Sequence, residues 1–112
     1  MMLYHNPRCS KSRQALAILE ERGENFQTRK YMDDLLSEQE LRTLLQQLNM
    51  TASELIRKGE AAYKEQGLAN ASEDELVAAM LSEPKLIERP ILVVGKQAIV
   101  GRPPECILDL LS

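Results

Sequence analysis

The stretch Met2-Leu3-Tyr4-His5-Asn6-Pro7-Arg8-Cys9-Ser10-Lys11-Ser12-Arg13 decides the architecture. Its apolar triplet reads as a short strand that runs into the turn residues His5-Asn6-Pro7. From Ser10, Ala15, Leu16, Ile18 and Leu19 recur at helical spacing until Gly23, which places Cys9 at the start of a helix. Residues Phe26 to Tyr31 are β-prone and lie between Gly23 and Asp33-Asp34, so they read as a second strand. The opening is therefore βαβ.

Three Ser/Thr-x-x-Glu capping boxes follow: Ser37 with Glu40, Thr51 with Glu54 and Ser72 with Glu75. The first leads into the amphipathic stripe Leu41, Leu44, Leu45 and Leu48; the second marks a short helix ending near Arg57; the third carries Leu76 and Met80 toward Pro84. A further helical turn is expected around Ala61 to Glu65. After Arg89-Pro90, the runs Ile91 to Val94 and Ala98 to Val100, joined by Gly95-Lys96-Gln97, read as an antiparallel hairpin. Pro103-Pro104 opens a last helix through Ile107, Leu108 and Leu111. The order predicts an α/β, thioredoxin-like fold, with a helical insertion at about 37–83 between an N-terminal βαβ half and a C-terminal ββα half. A chain of 112 residues, 44% apolar, suits one domain over 1–112.

Composition removes several classes of function. With 14 basic and 17 acidic residues the net charge is -3, which does not attract a phosphodiester backbone, so no nucleic-acid partner is expected. No apolar run approaches bilayer length, and Met1 to Tyr4 is too short for a signal-peptide core; a cytoplasmic protein without membrane contact is expected. In that compartment the two cysteines read as thiols: Cys9 reactive, Cys106 inert in the core beside Ile107. One histidine excludes a Cys/His zinc cage, and no metal site is expected.

The chemistry gathers at Cys9. A cysteine at a helix N-terminus meets the positive end of the helix dipole and N–H groups without intrahelical acceptors, which favour the nucleophilic thiolate and also make an anion site. His5, Arg8, Lys11 and Arg13 can each add positive charge there, and Ser12 can either cap the helix or turn its hydroxyl toward the sulfur. Because Ser12 stands where a Cys-x-x-Cys pair has its second thiol, an external thiol must complete any redox cycle.

The motif His5-Asn-Pro-x-Cys9-x-x-Ser12-Arg13 closely resembles the active-site segment of the glutaredoxin-coupled arsenate reductase family. The resemblance continues through Leu55-Ile-Arg57-Lys, Tyr63-Lys-Glu-Gln-Gly-Leu68, Glu88-Arg89-Pro90-Ile91 and Gly101-Arg102-Pro103, and so covers nearly the whole chain. It implies reduction of arsenate to arsenite with Cys9 as nucleophile, His5 and Ser12 activating the thiol, and Arg57, Arg89 and Arg102 binding the oxyanion. It further implies glutathione as co-substrate, no bound cofactor, glutaredoxin as the partner that reduces the mixed disulfide, and a cis peptide before Pro90. A monomer is expected. Guanidinium forks suit a tetrahedral oxyanion. The basic residues Arg8 and Lys11 and the short C-terminus resemble a housekeeping branch of that family.

Two other readings compete. A monothiol glutaredoxin-like thiol transferase shares the Cys9-x-x-Ser12 spacing, but Ser10-Lys11 replaces the Gly-Phe usual there. A non-catalytic regulator resembling Spx would sense redox state through a Cys-x-x-Cys pair, which Ser12 removes. A Cys-x5-Arg phosphatase site fails because position 15 is alanine.

Overall fold

The computed structural model describes residues 1–111. In chain order it contains β1 (Met2–Tyr4), α1 (Ser10–Glu21), β2 (Gln27–Arg29), α2 (Glu38–Leu48), α3 (Ala52–Leu55), α4 (Ala61–Glu65), α5 (Glu73–Ser82), β3 (Ile91–Val94) and β4 (Gln97–Val100). Short 3-10 stretches cover Leu68–Asn70, Pro84–Leu86 and Pro104–Leu110. Two compact units form: Met1–Asp34 together with the chain from Arg89 on, and Leu35–Glu88. The second unit contains α2 to α5.

The first unit holds a sheet in the order β2-β1-β3-β4, with β1 parallel to β2 and antiparallel to β3, and β3 antiparallel to β4. The register aligns Thr28, Leu3, Leu92 and Ile99 across the four strands, so they share one face. Leu3 and Leu92 are fully buried there with Ala15 and Leu19 of α1 and with Ile107, and Phe26, Ile99 and Leu111 pack around them. Burying each large side chain contributes about 1.5–3 kcal/mol, so this layer fixes α1 on the sheet and Cys9 at its edge.

Several boundaries differ from expectation. β2 is shorter than Phe26 to Tyr31 because β1 offers only three partners; beyond Arg29, the N–H groups of Asp33 and Asp34 both donate to the Lys30 carbonyl and turn the chain. Gln97 joins β4, leaving a two-residue link in which Gly95 takes φ 61°, a left-handed conformation costly for other residues. The last helix is a 3-10 run, with Cys106 N–H donating to the Pro103 carbonyl. Cys106 is half-buried rather than a core residue; the helix directs Ile107 inward instead. A cis peptide precedes Pro90 as expected, and a second, unexpected one precedes Pro103. Gly101 donates its N–H to the Pro90 carbonyl at 2.8 Å, and a β-carbon there would lie 3.0 Å from Pro90 Cγ and 3.1 Å from Ile107 Cγ2. A glycine therefore lets the chain pass over Pro90 on its way to Arg102.

In the second unit all three capping boxes form reciprocally, at Ser37, Thr51 and Ser72. α5 is the hub, with Leu76, Val77 and Met80 buried and contacts to α2, α3 and the turn at Pro84–Leu86. Ser37→Ala should cost about 0.5–2 kcal/mol, because it orphans the Glu40 N–H that the serine oxygen now accepts. Urea titration checks this: an unchanged midpoint would show that the box at α2 contributes nothing.

Candidate active site around Cys9

The loop between β1 and α1 is tied together by its own backbone and short polar side chains. Cys9 is the N-cap of α1 in an extended conformation (φ -98°, ψ 124°), and its side chain makes no capping hydrogen bond. The Cys9 N–H donates to the Asn6 carbonyl, and the Cys9 carbonyl accepts from Arg13 N–H, both at 3.0 Å. By helix geometry the N–H groups of Ser10, Lys11 and Ser12 have no intrahelical acceptor, and the free thiol of Cys9 is buried at that helix start.

Asn6, expected only as a turn residue, organises this loop. Its side-chain oxygen accepts from Arg8 N–H at 3.1 Å, and its own N–H donates to Ser12 Oγ at 3.0 Å. The Asn-Pro pair was a turn signal but did not reveal these partners. Arg13 closes the loop by donating from Nη1 to the Pro7 carbonyl at 2.8 Å.

Ser12 neither caps α1 nor stands as an isolated hydroxyl. Fully buried, it pairs with His5 Nδ1 at 2.6 Å, so its hydroxyl is committed to His5 and Asn6. His5 corrects an expectation: it does not add positive charge beside Cys9. Burial, reinforced by repulsion from Lys30 and Arg13, pushes its pKa below the ordinary 6.5. The charged form of the ring is thus disfavoured, and its Nδ1 is held against the Ser12 hydroxyl.

The three candidate arginines differ. Arg89, directly before the cis peptide at Pro90, is half-buried; its Nε and Nη1 are buried and find no acceptor among the described residues. Such donors carry an unrecovered desolvation cost that a bound anion would remove. Arg102, at the bend after β4, is exposed. Arg57 belongs to the second unit. It does not end a helix: α3 stops at Leu55, and Arg57 lies beyond it with ion pairs to Glu60 at 3.0 Å and Glu88 at 3.6 Å. The Glu60 partner, three residues on, was visible in the sequence; Glu88 was not. Among the described residues no cluster of His, Cys, Asp and Glu could hold a metal ion, and no helix is long and apolar enough to cross a membrane.

The profile of the ArsC family matches residues 4–110, which include Cys9 and all three arginines. The chain belongs to the ArsC family. An arsenate reductase of Neisseria meningitidis is 42% identical over 97% of this chain and 96% of the relative. An uncharacterised protein of Escherichia coli is 46% identical over 98% of this chain and 95% of the relative. Among solved structures, an arsenate reductase from Vibrio cholerae superposes with a TM-score of 0.92 at 48% identity, covering 96% of this chain and 94% of that one. The thioredoxin-like arrangement of this ArsC-family chain agrees with that neighbour.

His5 gives the ArsC-family chain a pH signature. Its native pKa is lowered, so below about 6.5 the unfolded state binds more protons than the native state. Stability should therefore rise with pH up to about 6.5 and fall as the solution is acidified toward the lowered native value. His5→Gln lacks this term, so its urea midpoint should approach that of the wild type as pH drops from 7 to 5. Parallel curves over that range would contradict a buried neutral ring.

Proposed function

We propose that this ArsC-family protein reduces arsenate to arsenite with Cys9 as the nucleophile and glutathione as the outside reductant. The Cys9 thiolate attacks arsenic, a sulfur–arsenic bond forms, and a protonated oxygen leaves as water. A glutathione thiolate then attacks the Cys9 sulfur. The sulfur–arsenic bond breaks, its electron pair stays on arsenic, and arsenite departs as a Cys9–glutathione disulfide forms. A glutaredoxin thiolate attacks the glutathione sulfur and frees Cys9. Arg89, Arg102 and Arg57 bind the oxyanion, and the helix N-terminus at Cys9 adds N–H donors. Ser12, held by neutral His5, keeps the loop in shape for the attack. The protein works as a cytoplasmic monomer.

The observation that supports this reading most is Arg89: two buried guanidinium nitrogens without an acceptor among the described residues, in the same unit as a free cysteine at a helix start. An anion-binding requirement explains why such a costly arrangement is kept. The names of the Neisseria and Vibrio relatives point to arsenate as that anion.

The test is NADPH oxidation with glutathione reductase, glutathione and glutaredoxin, followed with and without arsenate. Turnover should require arsenate, glutathione and glutaredoxin together. Equal rates without arsenate would favour a thiol transferase instead, and sustained turnover with thioredoxin as the sole reductant would defeat the glutathione route.

A further inference from the structure

In the Leu35–Glu88 unit the backbone fastens two distant segments together at Arg57. Ile56 pairs with Ile87 in an antiparallel bridge. Arg57 N–H donates to the Leu86 carbonyl at 2.7 Å, and Glu88 N–H donates to the Leu55 carbonyl at 3.2 Å. This clip pairs Arg57 with Leu86 and Leu55 with Glu88, so Glu88 lies diagonally across from Arg57. On the other side, Glu60 N–H donates to the Arg57 carbonyl at 3.2 Å, closing a turn that brings the Glu60 carboxylate back to the arginine. Both acidic residues are therefore delivered by hydrogen-bonded backbone.

Their carboxylates grip different nitrogens of one guanidinium. Glu60 Oε2 accepts from Arg57 Nη1 at 3.0 Å, and Glu88 Oε1 lies 3.6 Å from Arg57 Nε. All three side chains are about a quarter exposed. One contact would let the group swing; two on separate nitrogens fix its plane. Nη2 carries two further N–H groups. We propose that Glu60 and Glu88 are positioning residues that hold the Arg57 guanidinium in a fixed plane, so that its remaining N–H groups are ordered for the oxyanion before it arrives. The inference rests on the reading of Arg57 as an oxyanion ligand. An arginine is flexible, and ordering it during folding rather than during binding removes that cost from the binding step.

The two carboxylates also repel an anion, so the test must separate hold from charge. Glu60→Gln removes the charge but keeps an oxygen that can accept from Nη1, whereas Glu60→Ala removes both. Arsenate affinity is measured by titration calorimetry on wild type, Glu60→Gln, Glu60→Ala and Glu88→Ala, with arsenate KM and kcat from the coupled assay alongside. Glu60→Gln should bind at least as tightly as wild type. Glu60→Ala should bind about 3- to 10-fold more weakly than Glu60→Gln, with a matching rise in KM and with kcat held within about twofold. Glu88→Ala should also weaken binding if it folds; should it not fold, the two Glu60 variants decide.

Equal affinities for Glu60→Ala and Glu60→Gln would overturn the proposal, since their charge change is identical and only the hold differs. Tighter binding in both by the same factor would likewise overturn it, showing that the carboxylate merely competes with substrate. A wild type that binds arsenate without reducing it would defeat the catalytic reading while leaving the affinity comparison decisive for the positioning role. A wild type that binds no arsenate would overturn both.

Discussion

Cys9→Ser should abolish arsenate-dependent turnover, lowering the rate by more than about a thousandfold, while Cys106→Ser should keep most of the activity. The sulfur at position 9 is the atom that bonds arsenic and then glutathione in the proposed cycle, and a serine hydroxyl cannot form a disulfide. Cys106 lies in the 3-10 run after β4, half-buried, and no step uses it. Because it is not sealed in the core, Cys106 should react with a small alkylating agent in folded protein without loss of turnover. The check is the coupled assay on both variants, with site-resolved alkylation by mass spectrometry. Lost activity in a folded Cys106→Ser protein would instead mean that the two cysteines relay electrons within the chain.

Arg89→Ala should produce the second large effect, on substrate rather than on chemistry. Two buried donor nitrogens without an acceptor among the described residues are worth little to the fold and much to an arriving dianion. Charge-assisted hydrogen bonds contribute about 1.5–3 kcal/mol each, so losing this pair should cost about 3–6 kcal/mol, or roughly 150- to 20,000-fold in kcat/KM for arsenate. Arg89→Lys should recover only part of this, because an ammonium cannot reproduce the planar fork. Thermal stability should stay level or rise in Arg89→Ala, since the variant removes donors that are buried and unsatisfied. A drop of several degrees in Tm with arsenate KM unchanged would recast Arg89 as a packing residue.

The parts of this architecture legible in the sequence are those fixed by local chemistry. The boxes at Ser37, Thr51 and Ser72 each lie within four residues and all form. Leu3, Ala15, Leu19 and Ile107 carry the right periodicities, and they are the buried layer of the first unit. Cys9 stands at the start of α1 because the run beginning at Ser10 is helical and the Asn-Pro turn before it is not.

What was hidden depends on partners distant in the chain. The bond from His5 to Ser12 spans seven residues and turns an expected cation into a neutral, buried ring. α3 stops short of Arg57 because the segment ending at Glu88 captures its backbone, which no pattern around Thr51 announces. The half-buried state of Cys106 follows from a 3-10 rather than an α-helical run after Pro103-Pro104, which changes the residues that face inward.

The most direct measurement is peptide mass spectrometry of the wild-type protein after a single turnover with arsenate and glutathione, without glutaredoxin. One glutathione should be found in disulfide linkage at Cys9, only when arsenate was present, with none at Cys106 and an equimolar release of arsenite. Arsenite released with Cys9 unmodified, or an adduct that forms equally well without arsenate, would contradict Cys9 as the sulfur that carries arsenic and then glutathione.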